Sequence, residues 1–338
     1  MLFRSAAPPG TGPFKFVEWL PNQRIAFERF EEYWGEHKAF IDRLVFKPIL
    51  DDTVRLTAVR AGDLDMMRGT PYDLAKQIKE GKVKGIIGID APFALIKRMD
   101  LNVIGSPFEN KKLRHAVAHA INREEIVQGV FSGFADPKEV QNYPRHHKWY
   151  IEGIPTDPFD PEKARALLKE AGYKGERIEL LLTPGSEDLN TATVVQNQLK
   201  KAGLNVELNI LQQAAREELV RKGQFHFTLR GNNFYPDISD SYVQDLKCEE
   251  NRVSNQSGYC DKEVDELFDR ADSEPDVAKR KALYKQILIK ASEAMPVVGL
   301  VFVRKPLALR DYVRGFVVDR EGRFRSSVGG MNTIWLEK

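Results

Sequence analysis

Asp160-Pro161-Glu162-Lys163-Ala164-Arg165-Ala166-Leu167-Leu168-Lys169-Glu170-Ala171-Gly172-Tyr173 opens the stretch that decides the fold. It reads as a helix over about 161–171, stopped at Gly172. A strand follows at Ile178 to Leu182, then a helix over about 187–201 that ends at Gly203. Leu204, Val206, Leu208 and Ile210 alternate as a strand. A further helix over about 212–222 stops at Gly223, and Phe225 to Leu229 is the next strand. Helix and strand in regular alternation predict an α/β architecture. Two long helices are predicted at about 261–272 and 276–294, then a buried strand from Pro296 to Val303. Short strands are expected around Phe316 to Val318 and Thr333 to Leu336, and no internal repeat is present.

Toward the N-terminus, Phe14, Phe16, Trp19, Ile25, Phe27 and Phe30 alternate with polar residues around a break at Pro21-Asn22, which predicts a β-hairpin. Leu44 to Leu50 reads as a short strand. Asp51-Asp52-Thr53 can cap a helix over Val54 to Ala61, and Gly62 suits its left-handed C-terminal cap. Leu64 to Met67 reads as another strand. Residues 93–104 read as one extended segment and 110–131 as two helices, the second capped by Asn122. Residues 134–159 are rich in Pro, Gly, Asp and aromatics without a clean period, which predicts a long surface loop.

The 338 residues suffice for two lobes with separate cores. Apolar residues make up 42% and charged residues 30%, an ordinary globular composition. Lys plus Arg is 51 and Asp plus Glu is 49, so the net charge of +2 leaves no basic footprint for nucleic acid. No apolar run approaches the roughly 20 residues of a membrane span. Met1 to Ala7 lacks a charged segment followed by an apolar core, which by itself reads as cytoplasmic. The only cysteines are Cys248 and Cys260. Their spacing fits one disulfide in an exported protein and equally fits two unrelated thiols in a reducing compartment.

Candidate chemistry is sparse. His115 and His119 share a helix face, but Ala116 and Val117 stand where a zincin helix needs its Glu, so surface or packing roles are expected. His146-His147 lies in the long loop and reads as solvated. Gly10-Thr11-Gly12-Pro13 lacks the Lys-Ser or Lys-Thr of a phosphate loop and reads as a turn with glycines at positive φ. No nucleophile elbow, kinase signature or paired acid motif supports an enzyme. No metal site and no cofactor are expected. Arg230-Gly231-Asn232-Asn233-Phe234-Tyr235-Pro236-Asp237-Ile238-Ser239-Asp240 follows a strand and gathers amides, aromatics and an acid. That mix suits a small-molecule site, and it also suits a surface turn built on Tyr-Pro-Asp.

A set of landmarks in fixed order extends beyond these single signals. They are Gly10-Thr11-Gly12-Pro13-Phe14, Ala58-Val59-Arg60-Ala61-Gly62-Asp63-Leu64-Asp65, Leu101-Asn102-Val103, Pro107-Phe108-Glu109-Asn110-Lys111-Lys112-Leu113-Arg114-His115-Ala116, the 160–173 stretch and Arg280-Lys281-Ala282-Leu283-Tyr284. In this order they resemble the peptide- and nickel-binding family 5 of extracytoplasmic solute-binding proteins, nearly end to end.

The resemblance implies an α/β, two-lobed, type II periplasmic-binding-protein clamshell with mixed sheets, whose first lobe is incomplete at the N-terminus. Lobe I would be 1–98 plus 304–338 and lobe II 99–303, with crossings near 97–103 and 299–305. It implies capture of a peptide or peptide-like solute for the membrane subunits of an ABC importer, by a monomer outside the cytoplasm, whose signal peptide belongs to a missing N-terminal part. A nickel or metal-chelate binder of the same family is the alternative; a hydrolase is the more distant one. The resemblance also implies a Cys248–Cys260 disulfide, because the family's dipeptide binders carry a similar pair after their ligand-contacting loop. Closing that loop would stabilise by about 3 kcal/mol. Arg230, Asn232, Asn233, Phe234, Tyr235 and Asp237 become the expected ligand contacts. Two departures stand out. The position of the family's ammonium-pairing Asp falls near Phe234, leaving Asp237 as the partner if the loop is shifted. Where dipeptide binders place an Arg for the ligand carboxylate, this chain has Pro184-Gly185-Ser186-Glu187.

Overall fold

The computed structural model describes residues 10–36, 38–90, 93–233, 235, 237–317 and 331–337. The chain divides into two compact units, Met1–Ala94 with Arg304–Lys338, and Leu95–Val303.

In the first unit, β1 (Phe14–Leu20) and β2 (Arg24–Arg29) form the expected hairpin, and β3 (Arg43–Phe46) adds to β2. Phe16 pairs with Phe27, and Phe27 meets Phe46, both edge to face, so an aromatic row runs across the strands. The break between β1 and β2 holds Asn22 at a φ of 59°, a value asparagine tolerates. Asp51 caps α1 (Asp52–Ala61) by accepting from the Val54 amide, and Gly62 closes it at a φ of 87°. Gly12 does not take the positive φ expected of it, because the proline that follows favours extended backbone before it. A second antiparallel sheet orders β4 (Met66–Arg68), β12 (Leu307–Arg310) and β5 (Ile86–Ile89). Val59 of α1 and Leu74 and Ile78 of α2 (Tyr72–Lys79) pack with Met67, Ile86 and Ala308. The tail differs from expectation. Its strands are β12, β13 (Val313–Arg314) and β14 (Trp335–Leu336), whereas Phe316 and Val317 lie in none and Val318 lies outside the described residues.

The second unit is built on a six-stranded mixed sheet. Its order is β7 (Ala135–Pro137), β11 (Val297–Arg304), β6 (Phe93–Leu101), β10 (Phe227–Asn233), β8 (Ile178–Leu182) and β9 (Val206–Ile210). β9, β8 and β10 are parallel, joined through α6 (Ser186–Ala202) and α7 (Gln213–Arg221), while β6 runs antiparallel to β10. The remaining helices are α3 (Lys111–Ala120), α4 (Arg123–Gly129), α5 (Pro161–Glu170), α8 (Ile238–Leu246), α9 (Lys262–Asp272) and α10 (Val277–Ala294).

Residues 134–159 are a correction: they are not a solvated surface loop. β7 pairs with β11, and Lys138, Tyr143, Trp149, Ile151 and Ile154 are all buried. The aromatic and aliphatic side chains find cover without a helical or strand period, so periodicity could not reveal it. Gly299 is required here, because a Cβ would collide with the Glu139 carbonyl.

The β6–β10 register sorts polarity by face. Arg98 lies opposite Arg230 and Asp100 opposite Thr228, while Lys97 lies opposite Gly231. The two-residue period therefore gathers Arg98, Asp100, Thr228, Arg230 and Asn232 on one side. Arg98 and Asp100 are each 1% exposed, so both charges need partners. Arg98 pairs with Asp100 at 3.0 Å and with both carboxylate oxygens of Asp245. Asn142 donates to Asp245 at 3.1 Å.

Candidate functional site

The parallel strands β8 and β10 end at one edge of the sheet. In open α/β sheets, ligands favour the carboxyl ends of such strands. At this edge stand the turn Thr183–Gly185, the first turn of α6, the last residues of β10 and the loop to α8.

Arg230 turns back into the sheet. It donates to Asn232 Oδ1 at 3.1 and 2.7 Å, to the Ser254 carbonyl at 2.9 Å and to Asp100 at 3.2 Å. Asn232 is buried with its amide oxygen taken by Arg230, whereas Asn233 is exposed at the strand end opposite Leu95. Phe234, also expected at the site, lies outside the described residues. Tyr235 is half-buried, and its carbonyl accepts from the Tyr143 hydroxyl at 3.0 Å. The same hydroxyl lies 2.7 Å from the Asp237 carbonyl. The structure thus brings Arg230 and Asn232 together, with Tyr235 and Asp237 held one step further along the loop.

Asp237, the ammonium partner if the loop is shifted, already has partners within the chain. Its carboxylate caps α8 by accepting from the Ser239 amide at 2.9 Å. Arg280 donates to the same carboxylate at 2.7 and 3.3 Å. The Arg280 guanidinium lies over the rings of Trp149 and Tyr284, at 5.5 and 6.0 Å from their centroids. An approaching ammonium would compete with this pair.

A second ionic group at the same edge was missed. Lys97 is buried and its ammonium meets Glu187 at 3.0 Å and Asp188 as well. Burial works against its charge, but the two carboxylates outweigh burial and hold its pKa above the usual value. Arg216, buried on α7, also feels the Asp188 charge. The sequence places Lys97 and Asp188 91 positions apart, and the pairing of β10 with both β6 and β8 unites them.

The long segment closes over the loop. His147 stacks on Tyr143 with centroids 4.6 Å apart, and burial, then Lys148, pushes its pKa down to about 4, so it is neutral near pH 7. His146 is exposed. Cys248 and Cys260 are joined by a disulfide just beyond α8. Among the described residues, no group of three or more His, Cys, Asp or Glu side chains is arranged to hold a metal ion, and no helix is long and apolar enough to cross a membrane.

The model of the bacterial extracellular solute-binding proteins, family 5, middle region, matches residues 3–252. This chain belongs to that family. The glutathione-binding protein GsiB of Pectobacterium atrosepticum is 30% identical over 219 residues, covering 62% of this chain and 40% of that protein. The dipeptide-binding protein of Escherichia coli is 28% identical over 327 residues, covering 94% of this chain and 60% of that protein. The chain therefore spans about half the length of these family 5 relatives. Among solved structures, the periplasmic binding protein DppA from Helicobacter pylori, in complex with the peptide STSA, superimposes with a TM-score of 0.81 at 25% identity. That match covers 97% of this chain and 63% of DppA. The mixed α/β fold is thus the family 5 solute-binding fold.

Proposed function

We propose that this chain captures peptides or peptide-like solutes for an ABC importer and passes them to the importer's membrane subunits chemically unchanged. The observation that carries the reading is the family 5 match across residues 3–252, which spans the whole carboxyl edge of β8 and β10. Two curated relatives bind glutathione and dipeptides, which share an ammonium, carboxylates and amide groups. The edge offers matching chemistry. Glu187 and Asp188 around Lys97 supply acceptors for a cationic group, and Asn233 presents an exposed amide. Hydrogen bonds to charged ligand groups are worth about 1.5–3 kcal/mol each, so a few suffice for orientation. The chain acts as a monomer outside the cytoplasm, with residues 1–98 and 304–338 as one lobe and 99–303 as the other.

Calorimetric titration with glutathione, dipeptides and tripeptides tests the reading, with mass spectrometry of the ligand afterwards. Saturable binding of one intact peptide per chain is expected. Cleaved peptide, or no binding across the series, would overturn it.

A further inference from the structure

α3 carries His115 and His119 on one face, and both rings turn to the same carboxylate, Asp157. Each imidazole is fixed by a backbone carbonyl on its other nitrogen. His115 Nε2 lies 3.0 Å from the Glu293 carbonyl at the end of α10. His119 Nδ1 lies 2.7 Å from the Pro158 carbonyl. A carbonyl only accepts, so those two nitrogens must carry their protons. The remaining nitrogens, His115 Nδ1 and His119 Nε2, then face Asp157 Oδ2 and Oδ1.

That arrangement has a consequence for protons. With both rings neutral, two nitrogen lone pairs would confront a carboxylate that also only accepts. His119 Nε2 is buried and has no hydrogen-bond partner of good geometry, with Asp157 Oδ1 3.3 Å away. A proton added at His115 Nδ1 converts its confrontation into a charge-assisted hydrogen bond. His119 is 1% exposed and Asp157 14%, so solvent screens the contacts weakly.

We propose that His115 and Asp157, with His119 set against the same carboxylate, form a proton-operated clasp that ties α3 to the 155–160 segment and to the C-terminal end of α10 when His115 is protonated, and slackens when it loses that proton. The other charges around the clasp are Lys111 on α3, which opposes protonation of His115, and Arg123 at the start of α4, which feels Asp157. At the N-terminus of α5, the Asp160 carboxylate accepts from the Lys163 amide, while the Asp160 amide donates to the His119 carbonyl. From α10, the backbone carbonyl of Glu293 meets His115 Nε2. The Asp157 hydrogen bond, against burial, raises the pKa of His115. The sign follows from linkage. A raised folded-state pKa gives stability that is full below the unfolded value near 6.5 and is lost as pH rises through the folded value. The clasp tightens in acid and slackens toward alkaline pH.

Thermal unfolding of wild type and Asp157→Asn, at intervals from about pH 5 to about pH 8.5, tests the clasp. The difference in Tm is expected to be largest at the acid end and to shrink by at least half at the alkaline end. A difference that stays constant or grows with pH would overturn the proposal. Nitrogen–proton correlation spectra of the wild-type imidazoles give an independent reading that needs no variant. Both nitrogens of His115 protonated at about pH 5 supports the clasp, and a singly protonated His115 ring overturns it.

Discussion

Arg280 sets both of its terminal nitrogens on the carboxylate of Asp237, at 2.7 and 3.3 Å, while that carboxylate caps α8. The landmark Arg280-Lys281-Ala282-Leu283-Tyr284 thereby gains a physical role. Arg280 and Tyr284 are one helical turn apart on α10, so guanidinium and ring lie on the same face against the site loop.

Removing Arg280 should loosen that loop more than changing Asp237. Arg280→Ala loses a bidentate pair and two ring contacts, about 1–3 kcal/mol in urea unfolding. Asp237→Asn keeps a capping side chain and sits 41% exposed, so a loss of about 1 kcal/mol or less is expected. The reverse order of the two variants would show that Arg280 does not anchor the loop.

Asp245 is the sharper case. It is 4% exposed and takes two bonds from buried Arg98. Asp245→Ala leaves that guanidinium with Asp100 alone, and a cost of about 3–5 kcal/mol is expected. A loss under about 1 kcal/mol would mean that the charge finds water or another partner.

The Cys248–Cys260 bridge closes a loop between residues 12 apart in sequence. Replacing both by Ala should lower stability by about 3 kcal/mol. Reductant should lower the Tm of wild type and leave the double variant unmoved. Equal sensitivity in both proteins would contradict the assignment.

Lys138 gives a pH signature opposite to that of the histidine clasp. Burial, then Arg98, pushes its pKa down to about 7, so folding expels a proton that the unfolded chain keeps up to about 10.4. Stability should rise from about pH 7 to about pH 9 by on the order of 2 kcal/mol through this group. Lys138→Met should flatten that rise. Matching pH slopes in wild type and variant would remove Lys138 as its source.

Where side chains repeat with a clear period, the fold was legible in the sequence. Ile178–Leu182 forms the strand expected of it, and Asp51 and Gly62 bound α1 as capping chemistry requires. Legibility failed where tertiary cover replaces period. Tyr143 and Trp149 are buried in an irregular segment, and α8 begins directly after a Tyr-Pro-Asp stretch that reads as a turn. The loop at 230–240 was visible through its mixture of amides, aromatics and acid. The partners that determine its chemistry were not, because Lys97, Tyr143 and Arg280 reach it only through strand register and helix packing.

Hydrogen exchange of the chain with and without saturating glutathione or dipeptide tests the central claim most directly. The account predicts slowed exchange at residues 95–97, 183–188 and 230–240, the two sides of the carboxyl edge of β8 and β10. Peptide binding that leaves these segments unprotected while slowing exchange elsewhere would contradict it.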